Sequence, residues 1–549
     1  MKIKKTVCVL LCVALVVSLC GCRRADDGTS SASDAVVESA VKKGGKVQLL
    51  YNYSDTFNPY TSKTALNRQI CKLLFDPLVK VNNSYERVFC IAADIENIGR
   101  TCTVKLRNVN FSDGTAVTAN DVIYSYQAAK KSATEYSYRF YEVASVSALG
   151  NNTVVFNLTR TDPYFANLLD FPIIKSGSDT DIDSDGVAKP PVGSGRYTVN
   201  DNRNKLSVNT GHYEYSGTLS DIELINAPDN DSVSHYVEVG AADVYYTDFS
   251  DGNIVRMSGQ KAEVNMNSLV YIGINSGYGE LSGQYMRYAI SSAIDRKTIC
   301  NQAYYNNAVA ATGFFDPAFE DTASRQTLEN KANLEITIEN LEQIGYNKSD
   351  SSGYHINSAG KHPVFTLLVN SENFSRVAAA KLIAEQLRTA GIEIRLDEKP
   401  FDAYKAALET GAFQLYLGEI KFQNNMDISQ LVLKGGSAAY GVGAADENGR
   451  DTAADKVTPS TSEEADENNS SVSDATAENS APVLPYGEML ARFYSDSSDV
   501  GIGDIAGALL TEMPQIPVCY RLGLVFYDGD SVSCKSACAD DIFFGIQMK

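Results

Sequence analysis

The chain of 549 residues contains no tryptophan and only four histidines, against 31 tyrosines. His212, His235, His355 and His362 are scattered, with no nucleophile pattern near any of them, so no catalytic set is visible and no enzyme class is indicated. A CxxC motif is missing, which leaves zinc without a tight cysteine pair. Positive charge is in deficit: 48 Lys and Arg face 68 Asp and Glu, a formal net charge of −20 that argues against a nucleic-acid partner. Beyond the N-terminus there is no apolar run long enough to span a bilayer. Four of the 11 cysteines fall in the first 22 residues, and the seven that remain are an odd number, which is no disulfide framework. Spacing allows Cys90–Cys102 or Cys534–Cys538 bridges without requiring either.

What is present begins with the N-terminus. Lys2, Lys4 and Lys5 precede an apolar stretch from Thr6 to Leu19, the layout of a secretory signal. Leu19-Cys20-Gly21-Cys22 then resembles a bacterial lipoprotein signal, cut ahead of a diacylglyceryl-modified cysteine. Residues 1–21 read as signal peptide and Cys22 as the lipidated mature N-terminus, anchored by its acyl chains to the outer face of the cytoplasmic membrane. Residues 22–43, rich in Ser, Ala and Asp, read as a flexible tether. An uncleaved anchor is the alternative.

The stretch from Asn108 to Tyr126, NVNFSDGTAVTANDVIYSY, reads as strand, turn and capped helix. Val104 and Leu106 alternate with Lys105 and Arg107, Ser112-Asp113-Gly114 is turn chemistry, and Thr118 with Asp121 has capping-box spacing. Its wording resembles the DGT–TAxDV signature of the family 5 extracytoplasmic solute-binding proteins, with Phe111 where that family commonly has Trp. FNPY…LLFDPLVK, PPVGSGRY, Ala241 to Val244 and RYAISSAIDRKTI extend the resemblance, and Arg287, Asp295 and Arg296 match the last motif. The resemblance implies an α/β, two-lobed periplasmic-binding-protein-like (type II) fold with three domains, mixed sheets and a hinge between lobes. Expected boundaries are 44–80 and 191–268 for domain I, 81–190 for an inserted domain II, 269–485 for domain III and 486–549 for the return. Within domain III, residues 435–485 form an acidic insert with almost no large apolar residues, expected to be disordered or a solvated loop.

Two stretches are candidates for ligand contact. The loop after the first strand, in which Tyr53, Ser54, Asp55, Phe57 and Asn58 stand, faces the cleft in the family; an ordinary surface loop is the competing reading. The second comes from the segment Val364 to Leu417, which reads as β-α-β-α-β, with Ser375 capping the first helix and Gly391 and Gly411 closing the two. Ligands in open α/β sheets bind beyond the carboxyl ends of strands, which singles out Gly418 to Asp427, with Glu419, Phe422, Asn424, Asn425 and Asp427. In peptide-binding members an acid near here pairs with the ligand's α-amino group, often in a W-x-x-D-x-x-D-P context that this chain lacks; Glu419 and Asp427 are the available acids. Asp181, Asp183 and Asp185 imitate half of an EF-hand, but Val192 occupies the position that needs Glu, so no metal and no cofactor is expected. The resemblance implies a monomeric protein that captures dipeptides or oligopeptides and delivers them to an ABC permease. The alternatives are another solute (oligosaccharide, opine or metal chelate) or a surface sensor that no longer transports.

Overall fold

Three sheets of four or more strands, beside three two-stranded ones, carry the chain in the computed structural model, which describes residues 46–182, 184, 186, 188–217, 219–249, 257–442, 485–496, 498–538 and 540–548. The expected signal peptide, Cys22, the tether, most of the acidic insert, Asp183 and Asp185 lie outside the described residues.

In the first sheet Val47–Tyr51 runs parallel to Ile222–Asn226, which pairs antiparallel with Lys205–Val208 and, through it, with Tyr197–Val199. VQLLY is buried along its whole length, as a strand covered on both faces must be. Helix Ala65–Leu74 supplies part of that cover, burying Ile70, Cys71, Leu73 and Leu74. Gly193 and Gly195 cross the end of this helix so closely that a Cβ would lie 2.2 Å from the Leu74 carbonyl oxygen and 2.4 Å from its carbonyl carbon. Only glycine fits that crossing.

The second sheet is antiparallel, in the order Ala92–Ile98, Thr101–Leu106, Thr153–Leu158, Val143–Ala148. Cys102, Val104 and Leu106 point inward from TCTVKL, as the alternation requires. Helix Ala119–Lys131 starts at the expected cap: Asp121 Oδ2 accepts the Thr118 N–H at 2.9 Å and its hydroxyl at 2.6 Å. Phe111 is a buried core residue. The two bridges that spacing allowed are not formed. All seven described cysteines are free thiols, and the residues across from Cys102 are Asn97 and Phe156.

The third sheet has seven strands, ordered Val244–Thr247, Ile516–Tyr527, Gln260–Ile274, Leu415–Lys421, Val364–Asn370, Glu393–Lys399, with Ala308–Ala310 joined to Ile516–Tyr527. The expected β-α-β-α-β unit is its parallel part: Val364–Asn370 lies between the other two strands and parallel to both. Antiparallel pairing of Gln260–Ile274 with Leu415–Lys421 and with Ile516–Tyr527 makes the whole sheet mixed. Gly391 (φ 82°) and Gly411 (φ 69°) close the helices where expected. Asn373 rather than Ser375 caps helix Phe374–Thr389, its Oδ1 accepting the Arg376 N–H at 2.9 Å. The RYAISSAIDRKTI segment, whose apolar spacing reads as one helix, is two, Gln284–Ser292 and Arg296–Gln302. Asp295 separates them, accepting the Thr298 N–H at 2.8 Å as cap of the second. Among the described residues no helix is long and apolar enough to cross a membrane.

Candidate functional site

The loop after Val47–Tyr51 is held by its own side chains. Asp55 Oδ2 accepts from Ser62 Oγ at 2.9 Å, Thr64 Oγ1 at 2.7 Å and Thr64 N at 2.8 Å, which pins the start of helix Ala65–Leu74. Burial pushes the Asp55 carboxyl up, but these donors outweigh it and leave it below the usual range. Ser54 and Asn58 serve turns: the Ser54 N–H donates to Asn52 Oδ1 at 2.9 Å, and Asn58 Oδ1 accepts the Tyr60 N–H at 2.9 Å. Phe57 is a correction to the sequence reading. It is fully buried and stacked on Tyr51 at 5.8 Å, a core residue and not a cleft surface. Tyr53 and Ser54 are the exposed members of this group, and the Arg203 guanidinium lies 4.3 Å from the Tyr53 ring centre. Tyr53 lines a polar cavity of about 740 Å³ that Pro190 to Gly193 and Tyr197 to Arg203 complete, a volume within the range of ligand pockets.

The second stretch also differs from expectation. Gly418 to Lys421 are not loop, because strand Leu415–Lys421 continues through them along Gln260–Ile274. Glu419 is therefore turned into the sheet's surroundings with almost no exposure. Its Oε2 accepts from Arg376 Nη2 at 2.7 Å, and its Oε1 from Arg521 Nη1 at 3.0 Å and Ser268 Oγ at 2.6 Å. Burial pushes its carboxyl up, yet Arg521 and Arg376 outweigh that and bring it down to about 2. A carboxylate bracketed by two guanidiniums is no free partner for a ligand ammonium, which corrects the role expected for Glu419. Phe422 is corrected as well: it is buried in the core beside Met426, its N–H donating to Asn267 O at 2.9 Å.

The loop proper, Asn424 to Asp427, joins the third sheet's part of the fold to the second sheet's. Asn424 Nδ2 donates to Asp170 Oδ2 at 3.0 Å, and its carbonyl accepts from Asn167 Nδ2 at 3.0 Å. Asn425 Nδ2 donates to Asp162 Oδ2 at 2.8 Å. Asp427 Oδ2 accepts from Arg160 Nη2 at 2.6 Å and from the Tyr141 hydroxyl, and its Oδ1 from the Tyr494 hydroxyl at 2.9 Å. Met426 takes a positive φ of 55°, a backbone turn that sends neighbouring side chains to different partners. Burial raises Asp427, but Arg160 outweighs it and holds the carboxyl below its usual range. For Asp162 burial wins: Asn425 and the Tyr164 N–H only moderate it, and the carboxyl sits at about 6. Asn424, Asn425 and Asp427 are thus brought together, whereas Tyr53, Ser54, Asp55 and Asn58 bond elsewhere, to Asn226, Asn52, Thr64 and Tyr60. Arg160, Arg376, Arg521, Tyr141 and Tyr494 were missed in the sequence, since each meets its acid across a long stretch of chain and carries no local motif. Among the described residues no cluster of three His, Cys, Asp or Glu is placed to hold a metal.

These contacts form a polar seam between the part of the fold around the third sheet and the part around the second. A family model described as bacterial extracellular solute-binding proteins, family 5 Middle, matches residues 91–440. The chain is 24% identical over 425 residues to the oligopeptide-binding protein AppA of Bacillus subtilis (strain 168), covering 72% of this chain and 76% of that one. Its structure resembles the unliganded open form of the periplasmic murein tripeptide-binding protein MppA, with a TM-score of 0.68 at 17% identity over 92% of this chain and 98% of that one. It also resembles NikA from Brucella suis in complex with Fe(III)-EDTA, with a TM-score of 0.65 at 15% identity over 91% of this chain and 100% of that one. The fold is that of a type II periplasmic binding protein, with mixed α/β content in several sheets. The chain belongs to family 5 of the bacterial extracellular solute-binding proteins.

Proposed function

We propose that this solute-binding protein captures peptides outside the cell and delivers them to the membrane permease of an ABC importer. The observation that carries the reading is the polar seam at Asn424 to Asp427, in a family whose relatives AppA and MppA are named for peptide binding. Its amides and carboxylates join one lobe to the other. When the lobes part, they can exchange those bonds for the N–H and C=O groups of an extended peptide. Tyr53, Asn424, Asn425 and Asp427 are the proposed contact residues, while Ser54, Asp55 and Asn58 shape the loop that presents Tyr53. In this reading residues 1–21 are removed, Cys22 carries lipid, and residues 22–43 tether a monomer to the outer face of the membrane. A second reading, capture of a metal chelate, is supported by the likeness to NikA, whose structure holds Fe(III)-EDTA.

The test is native mass spectrometry of the chain from Lys43 onward, purified without refolding. The expected result is a co-purified peptide population whose removal lowers the melting temperature and whose return restores it. A protein that no peptide pool stabilises, but that a metal chelate does, overturns peptide capture in favour of the second reading.

A further inference from the structure

Next to the seam, two adjacent carboxylates near the C-terminus face cations drawn from distant parts of the chain. Asp540 Oδ1 accepts from Lys421 Nζ at 2.9 Å, and its Oδ2 lies 3.3 Å from Asn424 Nδ2 and 3.9 Å from Arg139 Nη2. Asp541 pairs with Lys80 at 2.9 Å. Lys72 lines the same small cavity as both aspartates, its ammonium 2.8 Å from the Tyr136 hydroxyl. Lys72 and Lys80 belong to the chain beside the first sheet, Arg139 to that beside the second, and Lys421 ends a strand of the third. Three parts of the fold therefore contribute positive charge to one place.

As the chain stands, these four cations are balanced by Asp540, Asp541 and Asp170, with Glu135 and Asp76 also acting on Lys72 and Lys80, so positive charge is in excess only when Asp540 and Asp541 move aside. Among the described residues, the carboxylates in direct ion pairs with these four cations are Asp170, on Arg139, and the two aspartates themselves. Burial pushes Asp540 up, but Lys421, Arg139 and Lys72 outweigh it and hold it well below the carboxylate range. For Asp541 too, Lys80 and Lys72 outweigh burial and lower the carboxyl. Both are charged at neutral pH. Ion pairs of this kind are a weak way to stabilise a fold, because desolvation consumes most of the attraction, and an apolar plug would serve stability as well. Nor is the surrounding space filled: two cavities of about 20 Å³ each, room for water, are lined by Cys538 and Asp540.

We infer that Lys72, Lys80, Arg139 and Lys421 form an anion subsite of the solute cleft, occupied by Asp540 and Asp541 as a tethered stand-in that a solute with neighbouring carboxylates displaces. This rests on solute capture as read above and narrows it to acidic solutes. The carboxylates can come from an acidic peptide or from a free polycarboxylate.

Calorimetric titration separates the sources, using the full chain in detergent, its D540N/D541N variant, and the probes Ala-Asp-Asp-Ala, Ala-Asn-Asn-Ala and citrate. With the competitor neutralised, the variant binds Ala-Asp-Asp-Ala tighter than the wild type by about tenfold or more, because the competent state is no longer masked. Ala-Asn-Asn-Ala binds both proteins alike, and adding K421Q to the variant reduces the gain. A gain with citrate alone keeps the subsite and overturns the peptide reading. Equal binding of both peptides by all proteins overturns the subsite and leaves peptide capture standing, and no gain with any probe overturns the subsite. Should D540N/D541N fail to fold, K421Q alone, on a half-exposed lysine, must weaken binding of the acidic probes; unchanged binding overturns the inference.

Discussion

Glu419 and Asp162 are both buried carboxylates, and their neighbours send them in opposite directions. Glu419 lies between Arg376 and Arg521 at about 2, below the usual 4.5 for a glutamate, so its stabilisation is present above pH 4.5 and is lost as pH falls toward 2. Glu419→Gln leaves two guanidiniums without their charge partner and should cost about 3 kcal/mol in urea unfolding at pH 7, a deficit that closes as pH falls. A variant of unchanged stability that had lost only peptide binding would restore the ammonium-anchor role. Asp162, at about 6 against a usual 3.8, holds its proton more tightly folded than unfolded. Stability from it is complete below pH 3.8 and is lost as pH rises through 6. Asp162→Asn keeps an oxygen for Asn425 Nδ2 and the Tyr164 N–H without the charge, so it should match wild type at pH 3 and exceed it by about 2 kcal/mol at pH 8 in denaturant melts. An equal difference at both pH values would show that charge burial is not the cause. Neither environment was legible in the sequence, because both depend on partners brought from far along the chain.

Elements were more legible than residues, since caps and glycine closures act over three or four positions. Thr118 with Asp121, Gly391 and Gly411 do what their spacing predicts. Where two caps compete, spacing does not choose: Asn373 and Ser375 both suit the role, and the side chain that reaches the Arg376 N–H starts the helix. Apolar periodicity also runs across the break at Asp295, because helices Gln284–Ser292 and Arg296–Gln302 each bury a face in the same core cluster. The crossing at PPVGSGRY is the clearest agreement of sequence with packing. Gly195→Ala would place a methyl group 2.4 Å from the Leu74 backbone, which cannot move without shifting helix Ala65–Leu74. The expected cost is about 3 kcal/mol or failure to fold, whereas Gly217→Ala, with nothing within 4 Å, should lose only about 1 kcal/mol, for its positive φ. Equal melting temperatures for the two variants would refute the close crossing.

At the scale of the whole molecule, the loop Asn424 to Asp427 ties the lobes together, with Asp427 as its most heavily bonded residue. Asp427→Asn removes the charge that Arg160 and Tyr141 address and should weaken closure by about 1.5 kcal/mol, the worth of a charged hydrogen bond. Solution scattering should then report a larger radius of gyration for the unliganded protein; an unchanged radius would mean that other contacts hold the lobes. The sequence alone determined the α/β class, the β-α-β-α-β unit, the helix ends at Thr118, Gly391 and Gly411, and the family resemblance. Periodicity, capping and turn chemistry act between near neighbours, so they can be read along the chain. Tertiary structure alone decided that Glu419 is already paired, that Phe57 and Phe422 are core, and that Asp540 and Asp541 meet four cations. A carboxylate's availability depends on what packing brings within about 4 Å of it, and chain order does not encode that distance.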